Sequence, residues 1–284
     1  MSIKTILKKN KFSHNCILGI REIQYRYLPH IRNRSIFKIK KALRLMRIDK
    51  NSPYEKLKEV KNKHKGERCF IVATGPSLTI EDLEKLESET TISMNSICLA
   101  FNETNWRPTY YGIQDDSVFL KMRKYIETLD VAGIFVSHTV PQQLNEKLSD
   151  DYYYFPIDMF YHSIERKKYN TKFSDNSFAA VYNGYTVTYS LIQIAVYMGF
   201  KEIYLIGADC HYGNDMNHHF IDYDHLDPTY ASAGDMMTSG YKVAKKYADQ
   251  NNIKIYNATR GGMLEIFERV DIDELLRAKK QEVG

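Results

Sequence analysis

The chain has 284 residues, 43% of them hydrophobic and 26% charged, and a net charge of +5, a globular composition with room for one large domain and a smaller appendage. It contains no run of eighteen apolar residues, so no helix is expected to span a membrane. Cys16, Cys69, Cys98 and Cys210 show neither CxxC spacing nor a disulfide framework, and the stretch Cys16–Ile20 is too short for a secretory core, so the expected compartment is the cytoplasm.

Three parts follow in chain order. Residues 1–50 form a basic arm with 14 Lys and Arg against two acids, a net of +12 that leaves the rest of the chain at −7. Within it, apolar residues at 36, 39, 43 and 46 share one helical face among lysines and arginines. Such a helix fits an anionic membrane surface, on the inner face of the cell membrane, or packing on the domain or on a second subunit of a homo-oligomer with its basic face in solvent. Residues 51–66 are a polar, lysine-rich lead-in, and residues 67–284 form the body.

The body opens on Arg68–Ala73, a continuous apolar run of the kind that makes a buried parallel strand. Further strands are expected at 91–94, 110–113, 132–136, 202–207 and 254–256. Helices are expected at 79–87, 117–128, 141–148, 186–199, 236–251 and 272–280. This alternation predicts an α/β fold, a mostly parallel sheet with helices on both faces. Ligands of such sheets bind beyond the carboxyl ends of the strands, which directs attention to five loops.

The first loop is Ala73-Thr74-Gly75-Pro76-Ser77-Leu78. Its glycine lets backbone approach a ligand, and Ser77 or Thr79 can cap the next helix, whose N–H groups suit a nucleotide phosphate. An ordinary turn between strand and helix reads the same way. The second is Gln114-Asp115-Asp116-Ser117. Adjacent acids there can hold Mg2+ bridging phosphates, bond a sugar hydroxyl, or cap a helix; Asp115 and Asp116 are the candidate metal ligands. In the third, Thr186 and Thr188 stand at a helix N-terminus, as anion ligands or plain caps.

The fourth loop follows Gly207 and contains Asp209, Cys210 and His211, with His218 and His219 close behind. An acid at a strand end beside histidines suits acid–base chemistry, so Asp209, His218, His219 and Asp115 are the candidate catalytic residues. The fifth, Asn257 to Gly262, offers Asn257, Thr259, Gly261 and Gly262 as nucleotide contacts, or a glycine turn before the closing helix.

GPSL at 75–78, MNS at 94–96, YYGIQD at 110–115, GFKEIYLIGAD at 199–209 and YNATRGGMLEIFERVD at 256–271 together resemble the bacterial branch of the 6-hydroxymethylpterin diphosphokinase MptE-like family. The resemblance covers about residues 65–276. The same pieces are similar to bacterial CMP-sialic acid-dependent sialyltransferases and to the central domain of motility-associated factors that glycosylate flagellin.

The resemblance implies a Rossmann-like nucleotide-binding core. Gly75, Pro76 and Ser77 would touch phosphates, Asn95, Ser96 and Gln114 or Asp115 the nucleoside or sugar, and Thr186 and Thr188 the donor pocket. The sialyltransferases place a histidine just before their last long helix. Residues 232–236 here read Ser-Ala-Gly-Asp-Met, so His218 or His219 would have to serve. The expected activity is glycosyl transfer from a nucleotide sugar, such as a CMP-sugar, to a surface polysaccharide or glycolipid. Pyrophosphate transfer from ATP to a hydroxymethylpterin-type alcohol is the alternative, and a non-enzymatic scaffold of polysaccharide assembly a second one. No nucleic acid partner is expected.

Overall fold

The structure is a computed structural model that describes residues 11–160, 169–210, 219–221 and 230–283. The described residues hold ten short strands: β1 Arg68–Val72, β2 Thr91–Met94, β3 Tyr110–Ile113, β4 Gly133–Ser137, β5 Tyr153–Phe155, β6 Ile157–Asp158, β7 Val181–Tyr182, β8 Glu202–Ile206, β9 Lys254–Asn257 and β10 Glu268–Arg269. Eight of them form one sheet in the order β10-β9-β8-β1-β2-β3-β4-β5, and every neighbouring pair is parallel. The chain winds outward from β1 to β5, then returns to the other flank of β1 with β8. The order therefore reverses between β1 and β8, the place where doubly wound sheets open a crevice.

Successive strand residues face opposite sides. Cys69 and Ile71 join one buried cluster and Phe70 and Val72 the other, all fully enclosed. The first face is covered by helix α6, Val187–Met198, and helix α7, Tyr230–Gln250. The second is covered by α3, Ile80–Lys85, α4, Asp116–Ile126, and α8, Ile272–Val283, with a 3₁₀ helix at Asn95–Asn102. A short helix α5, Thr139–Leu144, stands where a longer one at 141–148 is expected.

Four strands were not legible as such. Pro156 separates β5 from β6: it has no N–H to give the ladder, and its carbonyl accepts from Val181 N as β6 and β7 form a separate two-stranded ribbon. The arm is helical from Lys11 to Leu45, as α1 Lys11–Glu22, a π-helical turn Ile23–Tyr27 and α2 Leu28–Leu45.

The lead-in 51–66 proves to be part of the body. Leu57 and Val60 lie in the first core cluster, Asn62 N and His64 N donate to the carbonyls of Tyr197 and Met198, and the His64 ring stacks on Phe200. Its lysines face outward while its few apolar residues cover the amino edge of the sheet, which a purely compositional boundary misses.

Candidate functional site

The loop after β1 and the loop after β8 meet at the reversal point. Gly75 N donates to the Gly207 carbonyl at 2.9 Å, extending the pairing of β1 and β8 past the strand ends. Asp209 is 8% exposed, and its Oδ2 accepts from Ser77 Oγ at 2.9 Å and from Ser77 N at 3.4 Å. A β-carbon on Gly75 would overlap that carboxylate and stand 2.5 Å from the Gly207 oxygen. Gly75 is thus needed for the close approach of Asp209. Part of the anion-binding capacity of this loop is already used by the protein's own acid.

The cap of α3 is Thr79, whose Oγ1 accepts from Asp82 N while the Asp82 carboxylate accepts from Thr79 N. Ser77 is not a cap. Thr74 and Pro76 are half-buried beside it, and the Thr74 carbonyl accepts from Phe220 N at 2.8 Å. That bond brings the half-buried His219 to this edge. His211 and His218 lie outside the described residues.

Asp209 is held from the far side too. Its carbonyl accepts from Met263 N at 2.7 Å, and Gly262, at φ +70°, packs so close that a β-carbon would be 2.8 Å from that oxygen. Asn257 and Thr259 are buried and bonded to the protein. Asn257 Nδ2 donates to the Leu264 carbonyl, its Oδ1 accepts from Thr259 N, and Thr259 Oγ1 accepts from Ala208 N. These side chains shape the loop against Ala208 and Asp209. Gly261, at φ +69°, is exposed, and its carbonyl accepts from Arg269.

The N-terminus of α6 stands at the ends of β2 and β3. Thr186 caps it, with Oγ1 accepting from Thr188 N, and Thr188 Oγ1 lies 3.3 Å from the Met94 sulfur at the end of β2. Ser190 Oγ donates to Gln114 Oε1 at 2.6 Å, tying the same turn to the end of β3. Asn95 and Ser96 begin the 3₁₀ helix after β2. The Asn95 carbonyl accepts from Tyr111 OH, and Ser96 Oγ is buried with no hydrogen-bond partner among the described residues.

The acidic pair behaves differently from the metal reading. Asp115 is exposed and caps α4, its Oδ1 accepting from Val118 N at 3.0 Å and Ser117 Oγ at 2.6 Å, while Asp116 sits in the first turn. Among the described residues no three His, Cys, Asp or Glu side chains gather. The pair does not fit a dedicated metal centre, because one member is occupied as a cap and adjacent residues diverge at a helix start.

Backbone strain marks the crevice in a way the sequence does not announce. Asn95, Tyr185 and Cys210 all have positive φ (49°, 70° and 51°), and each lies in a loop at the carboxyl edge of the sheet. For a tyrosine or a cysteine this conformation is disfavoured and persists only where the surroundings impose it. Burial, with the neighbouring Asp209 charge, also pushes the Cys210 thiol up to about 12, so it stays protonated.

A fully parallel, doubly wound sheet with polar loops gathered at its reversal point defines a Rossmann-like α/β protein. A model of the family described as 6-hydroxymethylpterin diphosphokinase MptE-like matches residues 44–215. The chain belongs to that family.

Among solved structures, the chain is similar to the MAf glycosyltransferase from Magnetospirillum magneticum AMB-1 at 16% identity and a TM-score of 0.47, covering 78% of this chain. The chain spans 38% of the length of that enzyme. It is also similar to the sialyltransferase CstII from Campylobacter jejuni in complex with cytidine-5'-monophosphate, at 15% identity and a TM-score of 0.46, covering 72% of this chain and 85% of that one. A mammalian sialyltransferase is similar at 12% identity and a TM-score of 0.35, covering 80% and 86%. No curated protein matches the chain. Among the described residues no helix is long and apolar enough to cross a membrane.

Proposed function

We propose that this protein is a nucleotide-dependent transferase that moves a glycosyl group from an activated nucleotide sugar to a hydroxyl of a surface glycan or glycolipid. The observation that carries the reading is the buried Asp209 carboxylate at the β1/β8 reversal, gripped by Ser77. In this reading Asp209 takes the proton of the acceptor hydroxyl. The acceptor oxygen then bonds to the sugar carbon as the bond to the nucleotide phosphate breaks. The phosphate leaves with the electron pair, and its charge is met by the first-turn N–H groups of α6 and the hydroxyls of Thr186, Thr188 and Ser96. The basic arm, residues 1–50, brings the enzyme to an anionic membrane surface where such acceptors are built.

Family membership favours a second reading, pyrophosphate transfer from ATP to a hydroxymethylpterin-type alcohol. That chemistry would rely on Mg2+ carried by the nucleotide, with Asp209 the buried carboxylate of this edge.

Thermal melting with CMP, UDP and ATP, each with and without Mg2+, separates the readings. Metal-independent stabilisation by CMP or UDP supports glycosyl transfer. Stabilisation by ATP that requires Mg2+ supports the diphosphokinase. No stabilisation by any nucleotide overturns both and leaves a scaffold that keeps the fold without the chemistry.

A further inference from the structure

Helix α2 docks on the body with Arg34, Lys41 and Arg44 turned inward. Arg44 is buried, its Nη2 donating to the Ala179 carbonyl at 2.8 Å with the guanidinium 4.7 Å above the Tyr54 ring. One turn back, Lys41 Nζ donates to Tyr182 OH at 3.3 Å, and two turns further the Arg34 guanidinium lies 3.8 Å above Phe160. The opposite side of the helix carries Ile31, Ile39 and Met46, each more than half exposed.

Between α2 and the β6–β7 ribbon lies a cavity of about 280 Å3. Arg34, Lys38 and Lys41 reach it from the arm and Lys172 from the body, with Tyr182 and Asp158 between them. Asp158 Oδ1 accepts from Phe160 N at 2.9 Å. Lys38, Lys41 and Lys172 form no ion pair with any described residue. Among the described residues of the groove, Lys38, Lys41 and Lys172 repel one another around the single carboxylate of Asp158, and a multivalent anion removes that cost. Arginine and lysine around one point is the donor set that phosphate oxygens take.

The remaining walls are apolar, Phe37, Ala42 and Leu45, and the last of these is half exposed at the groove's rim. A free phosphate has no use for such walls. A phosphate carried on an acyl or prenyl chain does. We propose that this groove binds the phosphomonoester headgroup of an anionic lipid, whose chain runs out along Phe37 and Leu45 toward the exposed apolar side of α2. The site is independent of which group the crevice at the sheet edge transfers.

The test compares the full chain on two vesicle types matched in zeta potential, phosphatidylcholine with phosphatidic acid and phosphatidylcholine with phosphatidylglycerol. Diffuse attraction to the arm treats them alike, whereas a phosphomonoester site prefers the first, by about tenfold for one added charge-assisted contact set. The double variant Lys41→Gln, Lys172→Gln should bring that preference to about one without lowering the melting temperature appreciably. Arg32→Gln with Arg47→Gln removes the same charge from exposed positions outside the groove. It should weaken both partitions and leave the ratio intact. A wild-type ratio near one, or a ratio that survives in the groove variant, overturns the proposal. Inorganic phosphate stabilising the protein in melting experiments as strongly as short-chain phosphatidic acid overturns the lipid assignment.

Discussion

Replacing Gly75 with alanine tests the geometry at the heart of the crevice. The added carbon would overlap Asp209 Oδ2 and approach the Gly207 carbonyl to 2.5 Å. The first neighbour is a side chain already tied to Ser77, and the second is backbone in the β1–β8 ladder, so neither yields cheaply. Overpacking of this kind costs about 1–3 kcal/mol, and displacing the carboxylate forfeits a charge-assisted bond of about 1.5–3 kcal/mol. A loss of about 3–5 kcal/mol lowers the melting temperature by roughly 6–15 °C in a domain of this size. Asp209→Ala in the same chain removes one of the two clashes, so the double variant should be more stable than the sum of the single losses by about 1 kcal/mol or more. Calorimetry of the four proteins measures this. Gly112→Ala is the control: its new carbon meets Leu191 Cδ2 at 2.5 Å, the end of a flexible side chain, and should cost about 1 kcal/mol. A Gly75→Ala protein that melts with wild type, or a strictly additive double variant, refutes the contact between the two loops.

Asp209→Asn keeps an acceptor for Ser77 and should lower melting by only a few degrees, while turnover with the donor found by melting falls at least about a hundredfold; normal turnover per folded molecule makes the residue a loop fastener. Burial pulls the His138 imidazole down to about 4, and its Nδ1 accepts from Ile157 N. The unfolded chain takes up that proton near pH 6.5 and the folded one does not, so stability present above pH 6.5 is lost as pH falls toward 4, by about 3 kcal/mol. His138→Gln should flatten that part of the urea-stability profile, and an unchanged slope counts against a buried neutral ring. A chain beginning at Asn51 should remain folded, whereas one beginning at Glu67 loses the buried Leu57 and Val60, about 3–6 kcal/mol of apolar burial, and should melt far lower or aggregate. Equal melting of the two shortened chains contradicts the place given to residues 51–66.

The central strands were readable because each is a short apolar run closed by polar loop residues, as Arg68–Ala73 is by Thr74 and Gly75. The same rule put the five polar loops at one edge of the sheet. It could not find β5, β6 and β7, since strands of two or three residues beside Pro156 have no periodicity to detect. The partnership of Ser77 with Asp209 spans 132 positions, and only the order of the strands brings them together. Asp115 shows the converse limit. An acid after a strand looks the same in sequence whether it faces a ligand or caps the next helix, and here Val118 N decides it. The apolar face expected on the arm is there at Ile36, Ile39 and Met46, but the docking of α2 through Arg34, Lys41 and Arg44 inverts the usual rule of apolar inside.

The position of β1 sets the order in which this protein can be made. Its Arg68–Val72 ladder pairs on one side with β2, some twenty residues downstream, but on the other side with β8, where Phe70 stands opposite Tyr204. During synthesis the chain from β1 to β5 can wind up early, while the β8-facing edge of β1 stays bare until residue 206 has left the ribosome. At ~5–20 residues per second that interval is several seconds or more, with an apolar strand edge open to any passing chain. Mutations that slow the delivery of β8 should therefore act on yield in the cell before they act on the stability of the finished protein.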